Sequence, residues 1–163
     1  MDNALFRQSA PSGLIVSDMV NELAIVVDEL GGESSLGRTV RTSEDMSTAI
    51  RAGFPVSAVE RFHESSGLSI QEIASSLDLN LRSLRRRKHQ GRLARYESDR
   101  LYRLARLVAL AEHFLGDHER SIHWLRRPNH VLGGAVPLEV VDTELGARQV
   151  ENVLGRIGYG CIS

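Results

Sequence analysis

The stretch Ile70-Gln-Glu-Ile-Ala-Ser-Ser-Leu-Asp-Leu-Asn-Leu-Arg-Ser-Leu84 decides the fold. Just before it stands Ser69, and with Glu72 it makes the S-x-x-E spacing of a capping box, which opens a short helix. Asn80 can cap a second helix, because its side-chain oxygen can accept an otherwise unpaired backbone N–H. Ile73 and Leu77 fall on the inner side of the first helix, and Leu79 plugs the turn. Leu81 and Leu84 are expected to mark the buried side of the second helix. Ala74 is small where the two helices cross, so they can approach closely. Asp78 occupies the turn, where a left-handed backbone is wanted, and Asp tolerates that conformation better than most residues.

Helical signals continue on both sides. Pro55 suits the first turn of a preceding helix that carries Val56, Val59 and Phe62 inward and stops near Gly67. Downstream, Leu101, Leu104, Val108, Ala111 and Leu115 recur at steps of three and four, the pattern of an amphipathic helix ending at Gly116. A short helix holds Ile122, Trp124 and Leu125 and is stopped by Pro128. Pro137 opens a further turn. A last helix runs from about Ala147, with Val150, Val153, Leu154 and Ile157 on one face. Upstream, the apolar residues between Met19 and Leu30 fit either a short buried helix or a strand, ended by Gly31-Gly32. Glu33 to Ser47 reads as a connection, and residues 1–17 show no clear period. The fold class is therefore all-α, with expected divisions at 1–50, 51–116 and 117–163.

Apolar residues make up 42% of the 163 and charged residues 25%, the balance of a globular chain rather than a disordered one. No apolar run approaches the ~20 residues needed to span a bilayer, and Met1 to Arg7 lacks a signal-peptide pattern, so a cytoplasmic protein is expected. The single cysteine, Cys161, excludes an internal disulfide framework. Net charge is −1, yet between Leu81 and Arg106 ten Lys and Arg stand against two acids, Glu97 and Asp99. That asymmetry points to a local anionic partner, or to a helix face whose charges pair with acids elsewhere.

The segment 70–84 resembles the helix-turn-helix of Xre-like repressors. That family usually places Gly in the turn where this chain has Asp78. In this reading the second helix enters the major groove. Arg82, Ser83, Arg86, Arg87 and Gln90 lie opposite the buried side, and Arg and Gln can read guanine and adenine edges. Arg92 and Arg95 follow and could hold phosphates. The alternative is a packing unit or a dimer interface that touches no DNA.

The C-terminal segment looks like the toxin-binding domain of the MbcA/ParS/Xre antitoxin family. The resemblance rests on Trp124-Leu125, Pro128-Asn129, Leu132-Gly133, Pro137-Leu138, Thr143, Gly146, Val150, Leu154 and the closing Gly158-Tyr159-Gly160. Together with the helix-turn-helix it covers about residues 55–163. The resemblance implies a RES-type partner toxin that breaks down NAD, blocked by this domain, and an operon repressed through the helix-turn-helix. Trp124, Asn129, Tyr159, Ile162 and Ser163 are then the candidate toxin contacts, with the Ser163 carboxylate competing for the toxin's NAD-binding cleft. The plainer readings are a core Trp124, a turn-capping Asn129 and a frayed tail.

Other chemistry finds little support. His113, His118, His123 and His130 lack the i,i+4 spacing or cysteine partners of a zinc site. No motif sets a base beside a nucleophile, and the Gly-Gly and Gly-Tyr-Gly pairs are too short to cradle phosphate. Neither an enzyme nor a bound cofactor is expected. Two classes compete: an antitoxin that binds toxin and operator DNA, and a stand-alone DNA-binding regulator. Either one is expected to dimerise, with the 19–30 segment as a candidate contact.

Overall fold

The computed structural model describes residues 22–158 and 160. Among them the chain is helical, and its one β-type pairing is an isolated bridge between Pro55 and Arg92. Residues 22–29 form α1, followed by α2 (Gly32–Leu36), α3 (Ser43–Ala52), α4 (Ser57–Ser66), α5 (Ile70–Ser76), α6 (Leu81–Gln90) and α7 (Arg95–Leu115). Then come α8 (His118–Leu125), a 3-10 turn (His130–Leu132), α9 (Pro137–Val140) and α10 (Glu144–Gly158). The described part of the 19–30 segment is thus a helix, not a strand; Met19 and Val20 lie outside the described residues.

Local chemistry starts and stops these helices as elementary capping rules require. Ser69 and Glu72 close the capping box at α5, and the Asn80 side chain accepts the Ser83 N–H at 2.8 Å to open α6. In the turn between them Asp78 has φ 59°, the one positive φ of a non-glycine among the described residues. Gly67, Gly91 and Gly116 end α4, α6 and α7 in the left-handed conformation.

Four expectations need correction. The stretch read as a connection contains α2 and the start of α3; Thr42 and Asp45 form a capping box whose third position is Asp rather than Glu or Gln. Pro55 does not sit in the first turn of α4, which begins at Ser57; it is spent on the bridge to Arg92. The last helix starts at Glu144, three residues before Ala147, because Thr143 Oγ1 accepts the Gly146 N–H. On α6 Leu84 is buried, but Leu81 is 43% exposed: it is the first residue of the helix and projects ahead of the surface that packs.

One apolar core runs through the molecule, with Phe54, Phe62, Leu68, Ile73, Leu77, Leu101, Leu104, Leu125 and Leu154 fully enclosed. At its centre lies α7, 21 residues and about 31 Å long. It contacts α3, α4 and α5 on one side of the chain order and α8 and α10 on the other. The helix-turn-helix half and the C-terminal half are therefore built on the same helix.

Leu23, Val26 and Val27 of α1, and Leu30 just after it, are buried in this core. Their covering surface is supplied within the chain, so the need for a partner that motivated the dimer contact does not arise from these residues.

Candidate functional site

Two surfaces carry the candidate residues. The first is α6. Arg82, Arg86 and Gln90 are exposed, and Ser83 is half-buried. Arg87 behaves differently. Its Nε and Nη2 donate to Glu97 Oε1 at 2.9 and 2.8 Å, and its Nη1 donates to Gln90 Oε1 at 2.7 Å. Glu97 has no exposed surface and also accepts the Ala94 N–H at 2.6 Å. The hydrogen bond that Arg87 donates to Glu97 raises the Arg87 pKa further above its ordinary value, so the guanidinium stays charged. Arg87 thus clamps α6 to the first turn of α7.

The run of ten cations divides accordingly. Arg87, Lys88, Arg100, Arg103 and Arg106 are paired with acids: Glu97, Glu60, Asp78, Asp99, and Glu22 with Glu151. Arg82, Arg85, Arg86, Arg92 and Arg95 form no ion pair among the described residues. Of these, Arg92 donates to the Gly53 carbonyl at 2.6 Å, so it is partly committed to holding the bridge. The unpaired charge is concentrated on α6 and on the loop that follows it. Sequence reading did not single out Glu97, although an acid inside a basic run is a signal of internal pairing.

The second surface is the C-terminal half. Trp124 on α8 is half-buried and packs against the core, while Leu125 beside it is fully enclosed. Asn129 builds the loop after Pro128: its Oδ1 accepts the Val131 N–H at 2.9 Å, and its carbonyl accepts the Leu132 and Gly134 N–H groups at 3.0 and 2.9 Å. Its own N–H donates to the Ala135 carbonyl at 3.0 Å, which closes the loop. Tyr159, Ile162 and Ser163 lie outside the described residues. Gly146 is required by packing, since a Cβ there would stand 1.7 Å from the Val140 carbonyl oxygen. Leu154 is the last enclosed residue of α10; Ile157, expected to end the core face, is half-buried.

A charged strut joins the halves. Arg126, at the end of α8, donates through Nε and Nη2 to the Glu72 carboxylate at 2.7 and 2.9 Å, and Nη2 also reaches the Gly67 carbonyl at 3.2 Å. The same carboxylate accepts the Ser69 N–H at 2.8 Å, so one side chain caps α5 and anchors α8. The Arg126 hydrogen bond is the main cause that holds the Glu72 pKa down at about 2. Beside the strut is a cleft of about 550 Å³ between α5 and the α8–α9 region, lined by Asp78, Arg100, Leu138 and Asp142 among others.

A helix-turn-helix with a basic second helix, continued through one shared helix into a compact helical domain, is the build of a helix-turn-helix protein with a second helical domain attached. Residues 45–106 match the antitoxin Xre-like helix-turn-helix domain, and residues 109–160 match the antitoxin Xre/MbcA/ParS C-terminal toxin-binding domain. The chain is 34% identical over 117 residues to "Antitoxin Xre" of Yersinia enterocolitica, covering 71% of this chain and 79% of that one. It is 31% identical over 122 residues to "Antitoxin Xre" of Photorhabdus laumondii, covering 72% and 81%. A shorter match, 39% identical over 66 residues, joins it to "Antitoxin Xre" of Pseudomonas putida across 39% of this chain and 42% of that one. The chain belongs to the Xre antitoxin family, and it has that family's helix-turn-helix and toxin-binding domains.

Proposed function

We propose that this chain neutralises a RES-type, NAD-degrading toxin and represses its own operon by binding operator DNA. It does so without catalysis of its own, in the cytoplasm, as a homodimer whose two recognition helices meet successive major grooves. The observation that carries the reading is the toxin-binding-domain match over 109–160, joined through α7 to a recognition helix with unpaired cations. Arg82, Ser83, Arg86 and Gln90 contact the groove, Arg95 contacts phosphate, and Arg87 sets the angle of the helix through Glu97. Trp124, Asn129, Tyr159, Ile162 and Ser163 contribute to toxin contact.

Co-expression with the protein encoded next to this chain tests the first half: rescue of growth arrest and restored cellular NAD are expected. A gel shift with the DNA upstream of the operon tests the second. Binding should fall steeply with salt, because neutralised phosphates release counterions. DNA binding without rescue would leave a stand-alone regulator. Light scattering at micromolar concentration, with and without toxin, checks the dimer.

A further inference from the structure

Among the described residues, four large apolar side chains are conspicuously exposed, and two of them, Val131 and Leu145, belong to the segment matching the toxin-binding domain. Val131 is 50% exposed at the tip of the 3-10 turn, and Leu145 is 70% exposed on the first turn of α10. Their positions are not accidents of a loose loop. The turn carrying Val131 is tied at its base by the Asn129–Ala135 hydrogen bond and inside by the Asn129 carbonyl and side chain. An apolar residue held outward on a rigid support loses little freedom when it binds, which is what a binding anchor needs.

The rest of this face agrees. At about 100° per residue, Leu145, Gln149, Asn152 and Arg156 fall within roughly 60° of arc on α10, well away from the buried Gly146, Val150 and Leu154. Val131 stands beside that arc: with Leu132, Gln149, Asn152, Val153 and Arg156 it lines an open cavity of about 270 Å³. The charged residues of α10 that pair within the chain, Glu144 with Arg148 and Glu151 with Arg106, leave this strip alone, and Arg156 has no ion pair among the described residues. Val131, two side-chain amides and one arginine around a shallow cavity, with the exposed Leu145 on the same helical strip, have the composition of a protein interface.

We infer that the toxin docks on this face, with Val131 and Leu145 entering apolar recesses of the toxin and Arg156 pairing with an acid at their rim. The inference rests on the toxin-neutralising function proposed above and places its main contact on α10 and the 3-10 turn rather than at Trp124. The occupant is the toxin rather than a second copy, because the whole face lies inside the matched toxin-binding domain.

The full-length chain should be titrated against a catalytically disabled form of the protein encoded beside it, by calorimetry or surface capture. Leu145→Glu with Arg156→Glu, and separately Val131→Glu, should each weaken binding on the order of 30-fold or more, the scale of an interface hot spot. Leu145 and Arg156 are exposed enough that the double variant keeps its melting temperature, which guards against a Val131 variant that misfolds. Arg85→Ala, exposed on α6 and outside this face, should bind toxin normally. Unchanged toxin affinity in the double variant, beside a wild type that binds, overturns the docking face alone. A double variant whose own oligomeric state changes while toxin affinity holds also overturns it, in favour of a second copy. No binding by the wild type overturns the face and the neutralising function together.

Discussion

At the N-terminal end of α7, Glu97 is enclosed and receives hydrogen bonds from Arg87 and from the Ala94 N–H, whereas farther along the same helix Leu104, Val108 and Ala111 are buried in the apolar core to which α10 contributes Val150 and Leu154. The first junction is directional and the second is not. Arg87 brings two N–H groups to one carboxylate oxygen, a geometry that few orientations of α6 satisfy. Apolar packing fixes proximity and volume and tolerates small rotations. The groove-reading role proposed for α6 needs a set angle, since a base edge is read over a few ångströms; the contact of α7 with α10 needs only a stable platform.

The largest effect that would break this contrast is expected at Glu97. Glu97→Ala leaves Arg87 without its buried partner and should cost about 3–5 kcal/mol in urea unfolding. Glu97→Gln is the sharper variant. It removes a negative charge close to the proposed DNA-binding surface, so Coulomb attraction alone would strengthen operator binding. If Glu97 sets the angle of α6, affinity falls instead, by about tenfold, the scale of one lost charge-assisted hydrogen bond. Tighter binding by Glu97→Gln would remove the directional role.

At the other junction Leu154→Ala should cost about 3 kcal/mol through lost burial and a residual cavity. It should leave the operator affinity of the folded protein unchanged within about twofold, because no direction is lost with it. A loss of operator binding comparable to that of Glu97→Gln, measured below the unfolding midpoint, would show that the two junctions are not different in kind.

A smaller, pH-dependent effect is expected at the strut. Arg126 holds the Glu72 carboxyl at about 2, against an ordinary 4.5. A depressed carboxylate stabilises the fold above its ordinary value, and that stabilisation is lost as pH falls from 4.5 toward 2. Urea midpoints should therefore drop over this range more steeply in the wild type than in Arg126→Gln. Parallel curves would mean the strut carries no linkage. The smallest effect belongs to the exposed cations: Arg82→Ala with Arg86→Ala should change stability by no more than about 0.5 kcal/mol. The same pair should abolish specific operator binding and spare toxin neutralisation. An unchanged gel shift would return α6 to a packing role.

Much of this architecture is written locally in the chain. The Ser69–Glu72 box, the Asn80 cap, the left-handed Asp78 and the glycines after α4, α6 and α7 each act within one helical turn, so their chemistry is visible in neighbouring letters. The three-four rhythm of Leu101 to Ala111 likewise announces a buried face. Where reading failed, the cause was also physical. Thr42-x-x-Asp45 departs from the commoner Glu or Gln pattern, which hid α3. Leu81 follows the helical period but stands at the first position of α6, where periodicity says nothing about whether a neighbour covers it.

The tertiary structure alone decided which charges are free. In the sequence, Arg86 and Arg87 are adjacent cations on one helix with no mark to separate them. In the fold, one faces outward and the other is bound by a carboxylate ten residues away. Similarly, nothing in the letters marks Val131 as exposed, and Leu145 stands ahead of the expected start of the last helix, where its period cannot be read. They are exposed because the loop anchored at Asn129 turns Val131 outward, and because Gly146, pressed on the Val140 carbonyl, fixes the other side of α10 as the inner one. Pairing and exposure depend on distances between segments remote in the chain, and a local code cannot carry them.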